Sequence, residues 1–327
     1  MAAASPDAPT ANASRSKAMV YDVIVIGGSF AGLSASMQLV RARRRVLVVD
    51  AGQPRNRFAR TSHGFLGQDG KAPHAIIEEA RRQVLAYPMV EYVNGEALAA
   101  RQTEQGFTVT LADGRREQAA RLILATGVAD ELPSIPGMQE RWGATVLHCP
   151  YCHGYEVGGR PLGVLATRSH SPHQALLIPD WGPTTYFTQG IFEPSEEESA
   201  IMAARGVTIE RTPIVELLGT APELEAVRLA DGRAISLGAV FTVPGTRMAS
   251  PLAEQLGCAF ENGPTGPYLH VDDRKQTSVA GVYAAGDAAG PSHNATLASA
   301  AGVMAGVGVH QSLARENRRT RAFVGAA

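Results

Sequence analysis

Two thiols two residues apart, each with an imidazole beside it, form the chemical centre of this sequence: His148-Cys149-Pro150-Tyr151-Cys152-His153. A Cys-x-x-Cys pair can close a small disulfide ring, and positive surroundings depress the pKa of one thiol, so such a pair suits thiol–disulfide exchange. Either His148 or His153 can take a proton from an attacking thiol or return one to a leaving thiolate. Blander roles fit the same residues. A structural zinc site needs a second such pair or a distant Cys/His pair, and only Cys258 and scattered histidines are on offer, so no metal site is expected. Cys-x-x-Cys-His also matches c-type haem attachment, which goes with export. An inert buried pair flanked by capping or surface histidines completes the alternatives. Cys258, within LGCAF, reads as a small core hydrophobe.

The elements around this centre follow from apolar runs and glycine punctuation. Tyr21 to Ile26 (YDVIVI) is a β-branched run typical of a buried parallel strand; it feeds GGSFAG, then a helix from Leu33 to Ala42, then Val46 to Val49 ending at Asp50. This is a βαβ unit. Its turn, Gly27-Gly28-Ser29-Phe30-Ala31-Gly32, is a near match to G-x-G-x-x-G with Ser29 at the second glycine. Small residues are needed there because backbone amides at a helix N-terminus must approach a pyrophosphate closely. Asp50 lies 18 residues past Gly32, the position from which a carboxylate reaches ribose hydroxyls. Together they predict dinucleotide binding. Arg121 to Ala125 is a further buried strand, ending in Thr126-Gly127, and Gly281 to Ala285 (GVYAA) is another, ending in Gly286-Asp287 and followed by an Ala/Gly-rich helix expected over 288–308.

Between these halves, Leu162 to Ala166, a helical stretch at His173 to Leu177, and Thr185 to Thr188 repeat a βαβ order. The expected fold is therefore α/β: two Rossmann-like three-layer nucleotide-binding domains, the second inserted into the first. The boundaries are 20–130 plus 246–321 for the discontinuous dinucleotide domain and 131–245 for the insert carrying CPYC, with tails at 1–19 and 322–327.

At 327 residues, 45% of them apolar, the chain has ample material for two cores. A net charge of −1 gives no bulk attraction to nucleic acid or an anionic membrane, so neither partner is expected. Three cysteines are too few for a secreted disulfide framework, which points to a reducing compartment and a cytoplasmic protein. The first nineteen residues are Ala/Ser/Pro-rich without an apolar core, so they are expected to be a disordered tail rather than a signal. No run is expected to reach the ~18 apolar residues of a membrane span.

GGSFAG with Asp50, Ala125-Thr126-Gly127, CPYC and GVYAAGD, in this order, resemble the low-molecular-weight thioredoxin reductases, flavoproteins of pyridine nucleotide-disulfide oxidoreductase class II. The resemblance runs from about Tyr21 through nearly the whole chain. It implies FAD bound by the first βαβ unit and the AAGD segment, with Gly27 and Gly32 at the pyrophosphate, Asp50 at the adenosine ribose and Asp287 at the flavin side chain. It also implies that Cys152 faces the flavin while Cys149 exchanges with substrate, and that the protein is a homodimer.

Two departures from that family bear on function. The nicotinamide turn, aligned through Gln174-Ala175-Leu176, is Ala166-Thr167-Arg168-Ser169-His170-Ser171, with no glycine, and Arg168 is expected to crowd the close-approach position. The next strand runs into Thr188-Gln189-Gly190 instead of arginines that would hold a 2′-phosphate. A standard NADPH site is therefore not expected. In the second departure, His153 replaces the acidic proton donor usual after the second cysteine. This combination is similar to FAD-dependent dithiol oxidases of the gliotoxin and holomycin type, and it implies oxidation of a small-molecule dithiol or a thioredoxin-like protein. The alternatives are an NADPH-dependent thioredoxin or small-disulfide reductase, and a flavin-bearing redox sensor.

Overall fold

Val23, Ile24 and Val25 lose all contact with water, and at roughly 1.5–3 kcal/mol for each such side chain this burial seats the first strand at the centre of a sheet. The computed structural model describes residues 20–316, so the expected tails at 1–19 and 322–327 lie outside the described residues. The chain opens with strand β1 (Val20–Ile26), helix α1 (Phe30–Arg41), β2 (Val46–Asp50), helix α2 (Pro73–Leu85) and β3 (Val90–Asn94). A meander of β4 (Ala97–Thr103), β5 (Gly106–Leu111) and β6 (Arg116–Leu124) follows. The sheet order is β3-β2-β1-β6-β5-β4. β1 pairs in parallel with both β2 and β6, as continuous apolar runs buried on both faces require.

The chain then leaves this sheet along β7 (Val128–Glu131) and builds a second one from β8 (Val146–Leu147), helix α3 (Pro150–His153), β9 (Leu162–Leu165), helix α4 (Ser171–Leu177), β10 (Thr184–Phe187), helix α5 (Glu196–Ala204) and β11 (Thr208–Glu210). An antiparallel sheet of β12 (Ile214–Leu218), β13 (Ala226–Leu229) and β14 (Ala234–Ser236) precedes β15 (Ala239–Thr242), which joins the second sheet in the order β11-β10-β9-β15-β8. The return strand β16 (Gly245–Met248) pairs antiparallel with β7, so both crossings between the two sheets form one ribbon.

Back in the first half come helix α6 (Leu252–Gln255), β17 (Phe260–Asn262), β18 (Pro267–Leu269), β19 (Val282–Ala284) and helix α7 (Ala295–Arg315). β19 pairs in parallel with the C-terminal end of β6, bringing Gly286-Asp287 beside Thr126-Gly127. The last helix begins at Ala295 and not at 288, because Gly290-Pro291 breaks the chain and Asn294 supplies the N-cap, its Oδ1 accepting from the Thr296 amide at 2.8 Å. By length and composition α7 is also apolar enough to cross a membrane, contrary to the expectation that no segment would be. Its apolarity comes from Ala and Gly that pack against α1: a Cβ on Gly302 would collide with the Ala31 carbonyl, and one on Gly306 would lie 2.6 Å from that of Ala35.

Candidate functional site

The β1–α1 turn is shaped by what a side chain would strike. Gly27 has φ +107°, and a Cβ there or at Gly32 would run into the Ala125 or Gly27 carbonyl. Gly28 donates its amide to Asp50 Oδ1 at 3.0 Å, while Tyr92, at the neighbouring strand β3, donates its hydroxyl to Oδ2 at 2.6 Å. Burial and that hydrogen bond raise the Tyr92 phenol above its usual range. Each Asp50 oxygen keeps a further lone pair, enough to accept from ribose hydroxyls. Ser29 caps α1 with extended backbone and makes no side-chain bond to the helix, so it does not consume the first-turn amides that no helical carbonyl can reach. Ala31 is pressed between Gly286, whose φ is +75°, and Gly302, so its small size serves packing.

Cys149 and Cys152 are joined in a disulfide across the start of α3. His148 and His153 are both held toward the neutral imidazole by burial; for His148 the Arg55 charge adds to this, and its pKa falls to about 3. Below them lies an ion network that the sequence did not disclose. Arg55 Nε donates to both Asp130 oxygens at 3.0 and 3.1 Å, and its Nη1 donates to Asp287 Oδ2 at 3.0 Å. Burial opposes the Arg55 charge, but the two carboxylates more than offset it. His293 shares this field, its imidazole also kept neutral first by burial. Arg55 and Asp287 are 232 positions apart, which is why no local pattern marks the pair. Gln174, on α4, donates to the His148 carbonyl at 2.8 Å and so ties α4 to the residue before the disulfide.

The second strand–turn–helix unit is built differently. Ser171 is fully buried, and its Oγ accepts from the amides of Thr167 at 3.0 Å and Arg168 at 3.2 Å. A hydroxyl oxygen of the protein thus takes up two backbone amides of this turn from within. The long side chain of Arg168 is not the obstruction expected of it, since it leaves the turn and lies against Gly245 of the ribbon, while a Cβ still stands at the position where the motif has glycine. Gln189, at φ +56°, spends its amide on both the N–H and C=O of Ile214, so the end of β10 carries a structural clamp instead of a phosphate site.

One cleft of about 600 Å³ collects these groups from both halves. Gly27, Gly28, Ser29, Ala31, Asp50, Thr126, Gly127, Gly286 and Asp287 line it, as do His148, Cys149, Cys152 and His153. Gly32 does not; it sits behind the turn under the Gly27 carbonyl. Arg55, Asp130 and His293 line it too, and sequence reasoning missed all three. A glycine cradle, a carboxylate with spare acceptors and a cleft of this size fit a dinucleotide cofactor of the FAD kind.

Comparison with known proteins places this geometry among relatives. Residues 21–168 and 193–305 match the model of the pyridine nucleotide-disulphide oxidoreductase family. The chain is similar to an oxidoreductase of known structure from Agrobacterium tumefaciens, with TM-score 0.87 and 52% identity over 91% of this chain and 99% of that one. It is also similar to the crystal structure of HlmI, with TM-score 0.85 and 37% identity over 91% and 93%. The thioredoxin reductase tcpT of Claviceps purpurea is 32% identical over 280 residues, covering 82% of this chain and 86% of the relative.

Proposed function

The chain belongs to the pyridine nucleotide-disulphide oxidoreductase family and is a thioredoxin reductase-like, FAD-binding enzyme of two Rossmann-like domains; from that premise we propose that it runs as a dithiol oxidase, closing a disulfide in its substrate. The observation that carries the reading is the contrast between its two turns: Gly27–Gly32 opens onto the cleft that holds Cys149–Cys152, whereas Ala166–Ser171 is filled by its own Ser171 hydroxyl. In this proposal the Gly27–Gly32 turn holds the FAD pyrophosphate, Asp50 the adenosine ribose, and Asp287, fixed by Arg55, the flavin side chain.

FAD when bound supplies a two-electron acceptor. The chain does the rest. A substrate thiol gives up its proton to His153, which burial keeps in the accepting form, and its thiolate attacks Cys149 Sγ, releasing Cys152 as thiolate. The second substrate thiol then displaces Cys149. His148 is too strongly held neutral to be protonated near pH 7, so it orients and insulates rather than carrying the proton. The substrate is a small-molecule dithiol or a thioredoxin-like protein. We assign residues 20–130 with 246–321 to the FAD unit and 131–245 to the insert, in a cytoplasmic homodimer.

The test is anaerobic stopped-flow mixing of the yellow protein with dithiothreitol, NADPH and NADH separately. Bleaching of the flavin band by dithiothreitol at least about 100-fold faster than by NADPH is expected, since the general acid–base and exchange machinery is present and the nicotinamide turn is filled. Catalytic bleaching by NADPH overturns the proposal and restores the alternative, an NADPH-dependent thioredoxin or small-disulfide reductase. Full dithiol oxidation by Cys152→Ser removes the disulfide route altogether.

A further inference from the structure

The loop at 61–71 belongs to the first half yet abuts the CPYC turn: a Cβ on Gly64 would stand 3.7 Å from the Tyr151 carbonyl. The loop is closed on itself, Ser62 N–H donating to the Lys71 carbonyl at 2.8 Å and Gly70 N–H to that of Ser62 at 2.9 Å. Within it, His63 is bracketed by carboxylates on both sides of its ring. Nδ1 lies 3.5 Å from Asp69 Oδ1, and Nε2 lies 3.5 Å from Glu156 Oε1 and 3.1 Å from Thr61 Oγ1. Glu156 follows His153 by three residues, both Glu156 and His63 act electrostatically on the His153 ring, and His63 and His153 line the same cleft. Glu156 at 39% and Asp69 at 67% side-chain exposure both reach water, and the His63 side chain lies between them at 20%. The Gly64 amide, donating at 2.9 Å, and then His63 hold the Asp69 carboxyl below its usual range, so it stays an anion at the outer end.

We propose that His63, with Glu156 and Asp69, is the proton exit for the Cys149–Cys152 centre, carrying to water the proton that His153 takes from substrate. The inference rests on the exchange chemistry assigned above. In the first step a substrate S–H bond breaks, its sulfur forms a bond to Cys149 Sγ, and the Cys149–Cys152 bond breaks with the electron pair left on Cys152. The substrate proton moves to His153. One mixed disulfide, one thiolate and one proton result, and that proton must leave the half-buried His153 imidazole before the second thiol can be served. A ring with two nitrogens, each facing a carboxylate, accepts on one side and releases on the other. His63 is thus a positioning and relay residue that the reaction uses through His153, and the loop's contact with Tyr151 keeps it in register.

The experiment mixes holoprotein with dithiothreitol anaerobically and reads two signals: cysteine capture by quenched alkylation, which needs no flavin turnover, and bleaching of the flavin band. His63→Gln and Glu156→Gln are each expected to slow both signals about tenfold without changing the half-saturating dithiol concentration, less than the roughly 100-fold or more of a group that takes the substrate proton directly, as a relay behind His153 requires. Free imidazole is expected to restore most of the rate in His63→Gln, and the solvent deuterium effect to rise in both variants. A structural latch gives neither rescue nor a larger isotope effect. Variants as fast as wild type, or slowed but not rescued, overturn the relay. If the wild type itself is not reduced by dithiol, the dithiol-oxidase reading fails instead, so the two failures are told apart.

Discussion

The turns at 27–32 and 166–171 both join a buried parallel strand to a helix, yet they treat their backbone amides in opposite ways. In the first, glycines at 27, 28 and 32 remove every Cβ that would strike Ala125, Asp50 or the turn itself, and the capping Ser29 leaves the helix amides alone. In the second, Ser171 turns its hydroxyl inward and takes two amides for the protein. The same supersecondary unit is therefore a cofactor cradle in one place and a closed structural joint in the other. What differs is whether a protein oxygen already takes the turn's amides.

The largest effect should come from breaking the first turn. Gly32→Val drives side-chain atoms into the Gly27 carbonyl, and purified protein should retain less than about a tenth of the wild-type flavin, with several kcal/mol lost from unfolding free energy. The matched change in the second turn, Ser171→Ala, should leave the flavin-to-protein ratio unaltered; an equal loss in both would erase the distinction. A smaller effect tests how the halves meet at the cleft. His148, pressed by burial and then by Arg55 from the opposite half, has its folded pKa near 3, below the unfolded value of 6.5. Between those values only the unfolded chain binds the proton, so stability falls as pH drops, by about 1.4 kcal/mol per pH unit from this group. Urea midpoints measured from pH 7 to pH 4 should show that slope, and His148→Gln should remove its share. The smallest effect is a gain. Ser171→Gly frees the Thr167 and Arg168 amides, and NADPH should then bleach the flavin about tenfold faster than in wild type, still well short of dithiol, because Gln189 continues to clamp Ile214 where a 2′-phosphate partner would stand. No change at all would move the block from Ser171 to another part of the insert.

Much of this was legible from residues close together in the chain. Each strand of the βαβ unit fell within a residue or so of its expected span, since an apolar run bounded by glycine leaves little freedom, and the CPYC pair lies in one turn, where spacing alone sets reach. Local reasoning failed where a local signal was read too broadly. An Ala/Gly-rich run from 288 begins seven residues before the last helix, whose start is marked by Gly290-Pro291 and Asn294, and the length of Arg168 does not crowd its turn because the side chain has the ribbon to lie on.

The sequence by itself determined the strand–turn–helix units, the glycine cradle with Asp50, the disulfide-forming pair and the absence of glycine from the second turn, because each depends on backbone sterics and spacing within a few residues. Only the tertiary structure decided that Arg55 bridges Asp130 and Asp287, that Tyr92 completes Asp50, that Ser171 closes its own turn, and that His63 reaches Glu156 from the other half. Apart from Ser171, whose partners lie three and four positions away in its own turn, those contacts join residues 42 to 232 positions apart. Their partners are chosen by how two sheets and one ribbon bring side chains into a shared cleft, where a buried charge must find its counter-charge and no local pattern names it.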